Sequence, residues 1–291
     1  MRIREVRIGA RGSKLSLVQA NIVASALNNV GIQTGIVKIS TKGDFDRVSP
    51  MYEIGSTGIF VEELNNRILA GEIDVAVHSA KDIPSKLQEG IEIAAVMPRS
   101  TPWDALVSNR TLDQLPSGSV IGTSSLRRKM EVLSIRNDLR VENIRGNVDT
   151  RIGKLNTGEY DGIVLAVAAL ERIGFKREYH ILDGRTFVPA PNQGFIAATS
   201  AAGEELSNIM RRIDDPMSRK CLQNERRVME ELNMGCSVPM GVYCSPGHEM
   251  WARIFSQDGK QDQYLEGDAK EDASLRDFIH RAGKSKQELG Y

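Results

Sequence analysis

Little in this chain could hold a metal, a disulfide framework or a nucleic acid. Its 291 residues include three cysteines, four histidines and only 5% aromatics. Cys221, Cys236 and Cys244 form no Cys-x-x-Cys pair, and His78, His180, His248 and His280 are scattered, so no metal is expected. The N-terminal MRIREVRIGARGSK has no apolar h-region, which with an odd cysteine count predicts free thiols in the cytoplasm. Lys plus Arg equals Asp plus Glu at 38 each, which excludes the large positive footprint of a general nucleic-acid binder. The longest apolar run, near Gly162–Leu170, is too short to span a bilayer. Neither a nucleic acid nor a membrane is therefore an expected partner. The phosphate-binding pattern GxxxxGK[ST] is missing as well.

Charge does concentrate in one place. Residues 122–151, GTSSLRRKMEVLSIRNDLRVENIRGNVDTR, hold seven basic residues against four acidic ones. A Gly122-Thr123-Ser124-Ser125 turn opens a segment with Arg127 and Arg128, and a second turn carries Arg145, Gly146, Asn147, Thr150 and Arg151. Guanidinium forks bind carboxylates or phosphates through paired charge-assisted hydrogen bonds. Orphan N–H groups at a helix start favour the same anions. A charge run more often means a solvated helix face, but glycines and hydroxyls at both turns point to a small polyanionic ligand.

Hydrophobic periodicity predicts strands at Val6–Gly9, Gly35–Ser40, Ile73–His78 and Ile91–Met97, with helices at Leu15–Leu27 and Thr57–Leu69, the latter capped by Thr57. The near-continuous apolar IDVAVH fits a sheet covered on both faces. After the Pro-rich PRSTP (98–102) the alternation restarts. Strands are expected at Ser119–Gly122, Arg140–Ile144 and Gly162–Ala168, and helices at Leu126–Ile135 and Thr150–Asn156. VPAPNQG (188–194) reads as a second crossing, returning the chain to the first domain near Phe195–Ser200. A basic-faced helix at Pro216–Leu232 and a polar helix near Ser274–Ala282 complete the pattern. The expected fold class is α/β, with two doubly wound domains facing a cleft and a small α+β C-terminal domain. The expected bounds are 1–98 with 195–214, 102–189, and 216–291, with linkers at about 98–102 and 189–194.

Ligands of open α/β sheets bind at the carboxyl ends of strands. Arg11 and Ser13, Ser79 with Lys81 and Asp82, Thr123–Ser125, and Arg145–Asn147 all follow predicted strands. In HSAKDIP (78–84), Asp82 is either a turn residue or an acid–base carboxylate, with burial raising and cations lowering its pKa. Cys236, in GCSVPMG, is by local signals alone more often a small core residue than a nucleophile. Asp214 and Asp215 look like a helix cap before Pro216, and Asp44 in TKGDFD like a turn residue.

Together these segments resemble the hydroxymethylbilane synthase (porphobilinogen deaminase) family. The motifs in order are ARGSKLSLVQA (10–20), TKGD (41–44), GIFVEEL (58–64), DVAVHSAKDIP (74–84), GTSSLRR (122–128), NIRGNVDTR (143–151), GEYDGIVLAVAALERIG (158–174) and GCSVPMG (235–241). The resemblance implies an enzyme that condenses four porphobilinogen molecules head to tail, with release of ammonia, on a covalent dipyrromethane primer, giving hydroxymethylbilane. It implies that Cys236 carries the primer through a thioether and that Asp82 is the catalytic carboxylate. Ser13, Lys81, Thr123, Ser124, Ser125, Arg127, Arg128, Arg145 and Gly146 would surround the cofactor. Arg11, Arg145, Arg151 and Arg172 would hold substrate side chains. The fold of the first two domains resembles periplasmic solute-binding proteins, so the alternative is a non-catalytic binder of a small dicarboxylate. A monomer is expected. Departures from the family pattern are Thr57 where Lys is usual, Asn192-Gln193-Gly194 for GQG, FIAATSAA without the usual acidic residue, Ala168-Ala169-Leu170 for Ala-Gly-Leu, and a shorter C-terminal domain.

Overall fold

A computed structural model describes residues 5–40, 58–233 and 238–291. Contacts divide the chain into two compact units: Met1–Ser100 with Gly194–Leu222, and Thr101–Gln193 with Gln223–Tyr291.

The first unit is built on a five-stranded sheet in the order Gln33–Ile39, Glu5–Arg11, Val75–Ser79, Ile196–Ala201, Ile91–Val96. The first three strands are parallel, and Ile196–Ala201 runs antiparallel to both of its neighbours. Successive side chains of a strand point to opposite faces, and both faces here are covered, so VAVHS is buried from Val75 to His78. Val75 and Val77 pack with Val23 and Leu27 of the helix Lys14–Asn29. Ala76 faces the other way, toward Leu64 and Ile68 of the helix Ile59–Leu69. That helix has its cap position at Gly58; the expected cap, Thr57, lies outside the described residues, as does Asp44. Of Asp214 and Asp215, both read as a helix cap, only Asp215 caps the helix Pro216–Glu231. Asp215 accepts from the Ser218 N–H at 2.7 Å, while Asp214 pairs with Arg219 at 2.6 Å and accepts from the Val96 N–H.

The second unit repeats the plan, with strand order Arg140–Glu142, Val120–Gly122, Gly162–Ala166, Asp104–Val107, His180–Ile181. Again three strands are parallel, followed by an antiparallel one. Leu106 and Val164 pack on Val132 of the helix Leu126–Ile135. Ile163 and Leu165 pack on the opposite face with Val167 and Leu170. Both units are therefore doubly wound. The Pro-rich reading of 98–102 ends just short of the strand Asp104–Val107, which sequence periodicity did not reveal.

The C-terminal sheet is an antiparallel meander, Met240–Cys244, Glu249–Phe255 and Asp262–Asp268, covered by the helix Asp272–Glu288. Met250, Ala252 and Ile254 are buried on one face of the middle strand, while Trp251 and Arg253 on the other are half-buried. By contacts this segment is one unit with Thr101–Gln193, and its packing gives the reason. Trp103, Tyr243 and Trp251 form one aromatic cluster, with centroids 4.9 to 6.0 Å apart. The Val242 N–H donates to the Pro189 carbonyl at 2.9 Å. Gly241 lies so close to that crossing that a Cβ would sit 2.2 Å from the Val188 carbonyl oxygen. Backbones can approach this closely only at glycine.

Candidate functional site

In the first unit, the strands Glu5–Arg11 and Val75–Ser79 run in parallel and end on the same sheet edge. Arg11 ends one strand, and its guanidinium lies 3.6 Å from the centre of the Phe60 ring, a cation–π distance. The Ser13 hydroxyl caps the helix Lys14–Asn29 by accepting from the Ser16 N–H at 3.3 Å. The other strand runs into a single 3-10 turn, Ala80–Asp82. Ala80 and Ile83 are 1% exposed and clamp this turn from both sides. The Ala80 N–H donates to the Phe195 carbonyl and the Ile83 N–H to the Ala80 carbonyl, each at 3.1 Å. Asp82 is thus an exposed carboxylate on a rigid mount, with half-buried Lys81 beside it. His78 is fully buried and meets Thr199 Oγ1 at 3.1 Å. Burial pulls its pKa down to about 4, so it is a neutral core residue at neutral pH.

In the second unit the strands Val120–Gly122, Arg140–Glu142 and Gly162–Ala166 also share one carboxyl edge. The hydroxyls of the first turn are engaged within the protein. Ser125 caps the helix Leu126–Ile135 by accepting from the Arg128 N–H, Thr123 Oγ1 accepts from the Ser125 N–H, and Ser124 donates to the Ile144 carbonyl at 2.6 Å. The second turn carries Arg145, half-buried, and Gly146 at φ +108. A Cβ on Gly146 would lie 2.6 Å from Thr150, so the turn needs glycine. Asn147 caps the next helix through Thr150, and Arg151 Nε donates to the Gly146 carbonyl at 2.9 Å. Arg172, on the helix after Gly162–Ala166, is pulled down to about 10 by burial, partly opposed by Glu171.

Arg127 and Arg128 do not form a solvated face: they are 5% and 6% exposed. Both converge on Asp104, which is fully buried. Arg127 Nη2 meets one carboxylate oxygen at 2.8 Å and Arg128 Nη2 the other at 2.6 Å. Gln193 Nε2 adds a third bond to Asp104 at 2.8 Å. Burial alone would raise the Asp104 pKa, but Arg128 and Arg127 together outweigh it and hold the carboxyl well below the usual range. Arg127 also donates to Glu131 at 2.7 Å and to the Val188 carbonyl; Arg128 donates to the Val164 carbonyl. Sequence reading missed Asp104 and Glu131. The i, i+4 spacing of Arg127 and Glu131 was a legible signal; for Asp104 there was none beyond its place before ALV.

Asn192, read from the sequence as a departure from Gly-Gln-Gly, has φ +64. Glycine and asparagine are the residues that tolerate this left-handed conformation. Its N–H donates to the buried Glu225 carboxylate. Asn192→Gly is expected to stay within about 1 kcal/mol of the parent and Asn192→Val to lose about 1–2 kcal/mol. Urea denaturation of both variants checks this; equal losses would locate the requirement in the side chain instead. Cys236 lies outside the described residues.

The family described as "Porphobilinogen deaminase, dipyromethane cofactor binding domain" matches residues 6–208, and "Porphobilinogen deaminase, C-terminal domain" matches residues 219–277. The chain belongs to the porphobilinogen deaminase family. Relatives called probable porphobilinogen deaminase include one from Thermoplasma acidophilum, 47% identical over 90% of this chain and 91% of the relative. Another, from Thermoplasma volcanium, is 45% identical over 99% and 98%. One from Methanosarcina acetivorans is 41% identical over 98% and 90%. Among solved structures, the methionine binding protein MetQ aligns with 77% of this chain and 95% of its own at 12% identity and a TM-score of 0.45. As a porphobilinogen deaminase family member the chain is a transferase whose larger matched segment is the dipyrromethane cofactor-binding domain. No helix among the described residues is long and apolar enough to cross a membrane.

The donor set fits a dipyrromethane. Each pyrrole of such a primer carries an acetate and a propionate, which call for several cations. The second unit offers Arg145 and Arg151 beside a strand end. It also holds the buried Nε–H groups of Arg127 and Arg128, which have no hydrogen-bond partner among the described residues.

Proposed function

We propose that this chain is a hydroxymethylbilane synthase, which joins four porphobilinogen molecules head to tail with loss of ammonia. The observation that carries the reading is the family match over residues 6–208 and 219–277. The reading also covers the substrate, porphobilinogen, and a cytoplasmic monomer with no nucleic-acid or membrane partner. A non-catalytic dicarboxylate binder finds no support among relatives named for a deaminase.

In this reading Cys236 holds the dipyrromethane through a thioether; when bound, the primer would supply the free pyrrole carbon that accepts the first unit, and each later unit would add to the end of the growing chain. The chain's own residues do the rest. Arg11, Arg145, Arg151 and Arg172 bind acetate and propionate groups as guanidinium–carboxylate forks. Asp82 faces the charge problem. Breaking the aminomethyl C–N bond of porphobilinogen releases ammonia and leaves an electron-poor azafulvene, positive near its pyrrole nitrogen. A fixed carboxylate there lowers the barrier by preorganised charge. After the new C–C bond forms, the same carboxylate can accept the displaced ring proton. Ser13, Lys81, Thr123, Ser124, Ser125, Arg127, Arg128 and Gly146 shape and charge the cofactor's surroundings.

The test is intact-protein mass. Protein made with porphobilinogen available is expected to exceed its sequence mass by one dipyrromethane, and Cys236→Ser to have the bare mass and no turnover. Parent protein of unmodified mass that still turns over porphobilinogen would remove the covalent primer from the proposal.

A further inference from the structure

We propose that Glu131 is a positioning residue that sets the net charge of the Arg127–Arg128 cluster, and so the strength with which the second unit attracts the primer's carboxylates. The inference rests on the function proposed above. Two buried carboxylates face these arginines, and they are not equivalent. Asp104 accepts three hydrogen bonds, from Arg127, Arg128 and Gln193, so it stays an anion. Glu131 is 0% exposed, yet only one of its oxygens is engaged, by Arg127 Nη1 at 2.7 Å. Its other oxygen, Oε1, is buried with no hydrogen-bond partner among the described residues. A half-satisfied buried carboxylate is costly as an anion. As a neutral acid it keeps the Arg127 bond through its carbonyl oxygen.

The charged groups facing Glu131 are Arg127 and Arg128 on its own helix, Asp104 on the strand Asp104–Val107, and Arg253 on the strand Glu249–Phe255. Arg253 is itself paired with Asp262 at 2.7 Å. With Asp104 ionised, the cluster carries a net positive charge when Glu131 is neutral and none when Glu131 is ionised. Burial, first, and then the nearby Asp104 charge push the Glu131 pKa up to about 8, against the opposing pull of Arg127 and Arg128. The switch therefore falls within an accessible range: positive at neutral pH, balanced in mild alkali.

The experiment uses full-length protein prepared without porphobilinogen, then given porphobilinogen at pH values between about 6.5 and 9.5, a range that brackets the Glu131 transition. The rate of primer loading is read by intact mass for the parent and for Glu131→Gln. Every other pH-dependent step of loading is common to both proteins, so the parent-to-variant ratio cancels it. The ratio is expected to be near unity at the acid end and to fall about tenfold at the alkaline end, the effect of a unit charge acting across about 10 Å at an effective dielectric near 20. A ratio that does not change with pH overturns the role of Glu131. A parent protein that loads at no pH overturns the functional reading instead. If Glu131→Gln does not fold, Glu131→Met, of similar size and also without a titrating group, is put through the same comparison with the same two outcomes.

Discussion

Asp82→Asn is expected to lower turnover by about 100-fold or more while leaving fold and primer in place. The substitution keeps shape and removes charge. Asp82 ends a turn whose flanking residues, Ala80 and Ile83, are buried and hydrogen-bonded through backbone groups that the substitution does not touch. Surface-facing changes of this kind alter stability by about 0.5 kcal/mol or less. Catalysis should suffer because a neutral amide neither balances the charge left when ammonia departs nor accepts the ring proton. Two measurements separate these effects: intact mass, expected to show a loaded cysteine, and the rate of ammonia release in a single turnover, expected to collapse. Near-parental turnover in a loaded Asp82→Asn protein would move the role to another carboxylate.

The second large effect concerns stability. Asp104→Asn should destabilise the protein by about 3–5 kcal/mol, because it leaves two buried guanidiniums without their shared anion. The residue is 0% exposed and bonded by Arg127, Arg128 and Gln193, so water cannot replace the lost charge. Urea denaturation at neutral pH is the measurement, and a loss under about 1 kcal/mol would contradict the buried-network account. The pH dependence has a definite sign. A carboxyl whose folded pKa is depressed contributes stability above its unfolded value, near 4, and that contribution is lost as pH falls toward the folded value. The gap between parent and Asp104→Asn should therefore narrow below about pH 4. Glu131 runs the other way. Its folded pKa is raised to about 8, so its contribution is greatest below the unfolded value and declines as pH rises toward 8.

Much of the fold was legible because its signals are local. Strand and helix periods, the Pro-rich crossings and the turn residues follow from neighbours within a few positions. The helix Leu126–Ile135 was read to the residue, since a Ser cap and an apolar 3.6-residue repeat mark it. Gly146 and Asn192 were visible as special positions, and their positive φ values explain why. The strand Asp104–Val107 escaped notice: it is four residues long and follows directly on Pro102 and Trp103. With it went Asp104, whose partners lie 23 and 24 residues away.

By itself the sequence determined the two doubly wound sheets, the strand ends that carry Arg11, Asp82 and Arg145, and the family, because periodicity, turn chemistry and ordered motifs are written along the chain. Only the tertiary structure decided which way Arg127 and Arg128 point. In the sequence they are part of a basic run; in the fold they turn inward onto a carboxylate from a strand that is distant in sequence and adjacent in space. The physical reason is that a charge's partner is set by which strand lands beside it. In a buried site that partner, more than the charge itself, determines what the residue can do.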